Sequence, residues 1–314
     1  MKQAENIYLQ KFSEWLLIKG HTGSTAKSYR RSANHFISWL CEQGIEAESV
    51  HHNDIVAYVS HQKQQGNKAH TLQCHINAIR HFYNFLQQEE IIAENPALNV
   101  LIKGVKRKEL VEILSPAELE TIYKSFDAQS RTYETGKRMP PQQNNERARK
   151  RNKIMLALMI YQGIRTAELA KLEVGDLDLR EGKLTIQASR QSEGRVLKLE
   201  AHQVYDLMDY VHTIRKELLV STHKDTQAVF ISLGSSVTVR GSTRYLLWCI
   251  QQYYPQLKNL QQIRTSVISN WLKVHNLRQV QYMAGHRYVS STEAYQQNNI
   301  EELQDDIKKY HPIG

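Results

Sequence analysis

The chain has 314 residues, enough for about two domains that each bury a core without help from metals or disulfides. Hydrophobic residues make up 41% and charged residues 23%, a mixture that excludes a largely disordered chain. The three cysteines, Cys41, Cys74 and Cys249, are too few and too scattered for a disulfide scaffold or a CxxC zinc framework, and they fit a reducing compartment.

The longest apolar run, Ile154 to Tyr161, falls far short of the roughly 20 residues that span a bilayer. Lys2, Glu5, Lys11, Glu14 and Lys19 leave no apolar signal-peptide region at the start of the chain. A soluble, cytoplasmic protein with no membrane partner is expected. The net charge is +9 and unevenly spread: residues 1–103 carry +1, whereas residues 127–153 carry +5. A concentrated field of this kind attracts a polyanion, most often nucleic acid, although a solvated basic loop would look the same.

The first hundred residues read as four helices. Tyr8, Phe12, Trp15 and Leu16 form one apolar stripe, and Ala26, Tyr29, Ala33, Phe36 and Leu40 form a second, with Ser24 as the expected N-cap. A shorter helix spans about Asp54 to Gln64, and the fourth carries Leu72, Ile76, Ile79, Tyr83 and Leu86. Opposite the stripes, Lys27, Arg30, Arg31 and Asn34 share one side of the second helix, and Gln73, Asn77, Arg80 and Asn84 share one side of the fourth. These side chains bond phosphates and base edges in a major groove, and they equally populate ordinary solvated faces.

Asn95-Pro96 breaks the helical pattern, and the basic run Lys103 to Lys108, containing Lys106 and Arg107, marks a linker over 103–112 between domains at 1–102 and 113–314. Ser115-Pro116-Ala117-Glu118 is a helix start with a Ser cap and Pro at the first helical position. A polar insertion near 127–146 precedes the basic group Arg147 to Arg151, of which Arg149 and Arg151 are candidate phosphate contacts. Placed at the start of the apolar helix Ile154 to Tyr161, these cations would oppose its dipole unless an anion compensated. Two short strands are expected near Lys183 to Ala188 and Arg195 to Leu199, with a β-like run at Ala228 to Ser232. The fold class is therefore mainly α with a small β-hairpin.

Three segments stand apart from ordinary helix surfaces. Tyr161 to Leu169 places a glycine break and then Arg165 at the head of a helical turn. Leu260-Gln261-Gln262-Ile263-Arg264-Thr265 precedes an apolar-periodic stretch. Gly285-His286 is followed nine residues later by Tyr295. In this order the segments resemble the tyrosine recombinase (phage integrase) family, whose first arginine lies in a G-[LI]-R-x-x-E-L context. The helical first half, the basic linker and the Ser-Pro-x-Glu-Leu opening extend the resemblance over the whole chain. It implies a four-helix core-binding domain, a mostly helical catalytic domain, and cleavage of duplex DNA through a 3′-phosphotyrosyl bond at Tyr295.

The residue types suit that chemistry. Two guanidiniums, Arg165 and Arg264, can clamp charge on the nonbridging phosphate oxygens while staying protonated. A tyrosine hydroxyl needs a nearby base, which His286 can supply. No metal or other cofactor is expected, since HExxH, acidic clusters and paired Cys/His ligands are missing from the sequence.

Two positions depart from the family pattern. Gln261 stands where histidine or lysine is usual, and the hairpin turn Ala188 to Arg195 has no lysine to protonate the leaving 5′-oxygen. Arg190 is nearest in register but a poor acid, whereas Lys183 and Lys198 flank it on the strands. The expected protein is an integrase or transposase of a mobile element, bound to its recombination sites at the nucleoid. A DNA-binding protein of the same descent without strand transfer is the alternative. The tail, with Ile300, Leu303, Ile307 and Tyr310 at helical spacing, reads as a short amphipathic helix for which covering its own core is one option; the resemblance implies the other, loan to a neighbouring protomer in a tetrameric synapse.

Overall fold

The computed structural model describes residues 2–104, 111–128, 142–190, 192–233 and 239–296, and the chain divides into two compact units, Met1–Glu109 and Leu110–Gly314. The first holds α1 (Lys2–Ile18), α2 (Gly23–Gln43), α3 (His52–Gln64) and α4 (Ala69–Gln88). Phe12, Phe36, Ile55, Ile76 and Phe82 meet in its core with no exposed surface, as the stripes require. The cap of α2 is Thr22 rather than Ser24: its hydroxyl accepts the Thr25 N–H at 3.2 Å, and Gly44 closes the far end in the left-handed region. The third helix begins at His52, two residues before the expected start, where Asp54 accepts the His51 N–H at 2.8 Å.

The second unit opens with α5 (Pro116–Ala128), and Ser115 and Glu118 cap each other reciprocally at 2.8 and 3.2 Å. It continues through α6 (Gln142–Tyr161), α7 (Thr166–Leu169), the three-stranded antiparallel sheet β1 (Leu177–Asp178), β2 (Lys183–Ile186) and β3 (Arg195–Lys198), then α8 (Ala201–Asp209). A π-helical stretch at Tyr210–Ile214 joins α8 to α9 (Arg215–Thr222), and α10 (Arg240–Gln251), α11 (Leu260–Val274) and α12 (Leu277–Ala284) follow. Residues 290–296 form a last described helical segment. Helix α11 runs through the interior, buried along most of its length against α5, α6 and α12. Its polar side chains bond the chain ahead of α5: Ser266 accepts from Leu114 N at 2.8 Å and Asn270 donates to Leu114 O at 2.9 Å.

Several expectations change. Helix α6 starts at Gln142, so Arg147 to Arg151 lie beyond its first turn and the conflict with the helix dipole disappears. The strands are shorter than expected and β1 was not foreseen, because a two-residue strand has no period to detect. The run 228–232 contributes one bridge, Glu173 to Ala228, and no strand. Lys106, Arg107, Lys108, most of the polar insertion and the tail from Ile300 lie outside the described residues. No helix among the described residues is long and apolar enough to cross a membrane.

Candidate active site

The site is built where the loop after α6, the N-terminus of α7, α11 and the turn after α12 come together in the second unit. Gly163 turns the chain out of α6 at φ +59°, with its Cα so close to Trp271 that a Cβ would lie 3.0 Å from the indole. Arg165 then stands at the head of α7, where the Glu168 carboxylate accepts its backbone N–H at 2.9 Å and its guanidinium at 3.3 Å. The same carboxylate takes a forked pair of bonds from Arg195 at 3.0 and 2.9 Å.

Arg264 lies deeper, 1% exposed. Its guanidinium donates to the Gly163 and Ala284 carbonyls, the latter at 2.6 Å, and approaches His286 Nε2 at 3.5 Å. A guanidinium only donates, so Nε2 presents its lone pair and the ring proton sits on Nδ1, 2.9 Å from Thr292 Oγ1. The imidazole stacks on the Tyr295 ring, centroids 5.7 Å apart and planes 15° from parallel. Tyr295 itself is 9% exposed and packs with Ile268, Val280 and Ala284.

Electrostatics follow from this crowding. Burial, and then the charges of Arg264, Arg165 and Arg195, push the His286 pKa down to about 4. Burial alone would raise the Glu168 carboxyl, but the Arg195 bonds and charge outweigh it and leave the group below the usual carboxylate range. The Arg264 guanidinium is lowered by burial and by its like-charged neighbour Arg165. Near neutral pH the pocket therefore holds three cations, one carboxylate and an uncharged imidazole.

The His286 shift has a consequence for stability. The unfolded chain takes up the ring proton near pH 6.5 and the folded chain only near 4, so stability is fully present above 6.5 and falls as pH drops through that window. About 2.5 kcal/mol should disappear between pH 7.5 and 4.5 through this group. Urea denaturation at the two pH values should show a clearly smaller loss for His286→Gln; an identical loss would mean that the ring is protonated in the folded protein.

A family model for the phage integrase family matches residues 132–302, and one for its N-terminal SAM-like domain matches residues 9–90. The chain belongs to the phage integrase family. It is a tyrosine recombinase enzyme. The tyrosine recombinase XerD of Oceanobacillus iheyensis is 26% identical over 97% of this chain and 98% of its own length. XerC of Bacillus subtilis is 24% identical over 99% and 98%. Among solved structures, XerH bound to palindromic difH substrate matches with a TM-score of 0.63 at 17% identity, covering 90% of this chain and 78% of its own. The Tn1549 transposon integrase with a circular-intermediate DNA gives 0.62 at 14%, covering 92% and 94%. These structural likenesses speak for the fold alone.

Against the recombinase pattern, Arg165, Arg264, His286 and Tyr295 belong to one neighbourhood. Gln261 and Arg190 are exposed, the latter in a hairpin turn held by Ser189 and Ser192. A cavity of about 180 Å³ beside Arg165 is lined also by Lys171, Ser189 and Ser192. Lys183 and Lys198 lie on the two strands that flank that turn but pair across the open end of the hairpin, three residues from the Ile186–Arg195 pair, roughly 10 Å of strand away. Lys183 is also ion-paired to Glu181 at 3.6 Å.

Corrections fall on the candidate DNA contacts. Arg151 is 2% exposed and donates to Asn152 and to the Ile231 carbonyl, so it belongs to the core. Arg80 fastens the segment after α4 by donating to Ala97 O at 3.3 Å and Val100 O at 3.0 Å, while Asn84 accepts from Asn95 at 2.7 Å. Gln73 and Asn77 bond each other at 3.0 Å and are half-buried, as is Arg149. Lys27, Arg30, Arg31 and Asn34 stand exposed on α2.

Three residues that shape the site have no role assigned from the sequence. Glu168 was visible as the acid three residues after Arg165, a capping spacing. Arg195 alternates with Leu197 and Leu199 on the inward side of β3, and a charge at such a position calls for a buried partner. Thr292, with no exposed surface, gave no signal beyond its place between His286 and Tyr295.

Proposed function

We propose that this recombinase cuts and rejoins duplex DNA at specific sites, with Tyr295 attacking the scissile phosphate to form a 3′-phosphotyrosyl bond and release a 5′-hydroxyl that takes its proton from solvent. What supports the reading is the grouping of Arg165, Arg264 and His286 around Tyr295, with Glu168 orienting Arg165. Arg165, the more open guanidinium, meets the nonbridging oxygens; Arg264 adds its field from below. Neutral His286 has its Nε2 lone pair on the cationic side of the pocket and takes the phenol proton as the bond to phosphorus forms. A nicked suicide substrate tests this: loss of the short fragment beyond the nick should leave the protein covalently trapped on DNA, in excess EDTA as without it. A chain that binds the site and never becomes trapped would be the binding protein without strand transfer.

The exposed face of α2 and the run Lys106 to Lys108 are the proposed backbone contacts. Replacing Lys27, Arg30 and Arg31 with alanine, or Lys106, Arg107 and Lys108, should flatten the salt dependence of binding by about one unit per lost phosphate contact. Arg80→Ala should instead lower the melting temperature, because two backbone carbonyls lose their donor. An unchanged slope in both triple variants would remove these surfaces from the DNA interface.

For the assembly, the proposal is a tetrameric synapse on DNA, in the cytoplasm, with residues 300–314 lent to a neighbouring protomer. Deleting them should preserve binding to a single site and impair synapsis; recombination at full rate would show that the tail serves only its own protomer. The element served is proposed to be mobile, on the strength of the family resemblance. Sequencing trapped DNA should return the ends of such an element, and a single fixed chromosomal locus would overturn that assignment.

A further inference from the structure

Arg195 has no place in the chemistry just described, yet it is the structural link between the parts of the site. Its side chain has no exposed surface. The fork to Glu168, at 3.0 and 2.9 Å, shares a carboxylate with the Arg165 backbone and guanidinium, so the hairpin and the head of α7 are tied through one group. On its other side lies Gly285, at φ +64°: a Cβ built there would fall 2.4 Å from Arg195 Nη1 and 3.0 Å from Cζ. Gly285 O also accepts the Glu193 N–H at 3.2 Å, closing the hairpin onto the same turn. That turn begins with Ala284, whose carbonyl receives Arg264, and ends with His286. The glycine of the Gly-His pair therefore serves two needs, the left-handed end of α12 and the room for a guanidinium.

We propose that Arg195 is a positioning residue for strand cleavage: by bridging Glu168 and the Gly285 turn it fixes Arg165 where the nonbridging oxygens of the scissile phosphate require a guanidinium. The inference rests on the cleavage reading above. Its physical basis is that a buried carboxylate held by two guanidiniums has one low-energy placement, whereas one held by Arg165 alone can follow that half-exposed side chain. A shift of about 1 Å in a clamp costs on the order of 100-fold in rate.

The test uses the full chain and a nicked suicide duplex carrying either a normal phosphodiester or a methylphosphonate at the cleavage position. The methylphosphonate lacks the anionic nonbridging oxygen, so a misplaced clamp matters little to it. Arg195→Met should slow covalent trapping about 100-fold on the phosphodiester and only a few-fold on the methylphosphonate, with duplex binding within about threefold of the parent. Arg165→Ala should show the same pattern. Arg195→Lys retains the buried charge but not the fork, and should give a smaller, equally phosphate-dependent loss; it carries the test if the Met variant does not fold. Equal slowing on both substrates, or none on the phosphodiester, overturns the proposal. A parent protein that is trapped on neither substrate overturns the cleavage reading instead.

Discussion

Tyr295→Phe is expected to abolish covalent attachment to DNA while leaving binding nearly intact. The substitution removes one oxygen and keeps the ring, which packs with Ile268, Val280 and Ala284 and stacks on His286. Core contacts should therefore survive, and stability should change by no more than about 1 kcal/mol. Trapping on the suicide substrate should fall to background, since the hydroxyl removed is the one proposed to attack the phosphate. Mapping the adducted peptide checks the assignment directly. Attachment through Tyr310, which lies outside the described residues, or through a serine would refute it.

Glu168→Ala should have the largest effect on stability. Its carboxylate is one-tenth exposed and faces Arg195, Arg165 and Arg264. Without it, the fully buried Arg195 keeps its charge and loses its counterion, a change that typically costs about 3–5 kcal/mol. Glu168→Gln retains the shape and one acceptor oxygen, so roughly half that loss is expected. Urea denaturation of the full chain at pH 7.5 measures both. The native carboxyl lies below its ordinary range, so its contribution is present above about pH 4.5 and disappears only under stronger acid. This separates it from the His286 effect, which acts from pH 6.5 downward. If Glu168→Ala unfolds at the same urea concentration as the parent, the forked pair is not formed in solution.

Much of this molecule was legible in the sequence because the determining interactions are local. The apolar stripes of α2 and α4 repeat at helical spacing, so which side faces the core follows from the chain alone. The order Gly-Ile-Arg-x-x-Glu-Leu, Arg264, Gly-His and Tyr295 carries the family chemistry for the same reason: each motif needs residue type and spacing, not a distant contact. Capping was partly legible. Ser115 and Glu118 were seen, whereas the choice of Thr22 over Ser24 turned on backbone angles that both residues can adopt.

Tertiary structure decided how the polar groups are used. Arg80 and Asn84 sit on the open side of α4 as the periodicity says, but the segment at 95–100 folds back and takes their bonds. Arg151 is claimed by a carbonyl 80 residues away. The sequence marks Arg264 as a phosphate clamp, and only the fold shows that the carbonyls of Gly163 and Ala284 enclose it. Arg195 and Thr292 gain their roles only from Glu168 and His286, across 27 and 6 residues of chain. An apolar residue is buried wherever its helix packs, and its period announces that. A charged residue is buried only where a particular partner meets it, and that partner is fixed by the fold.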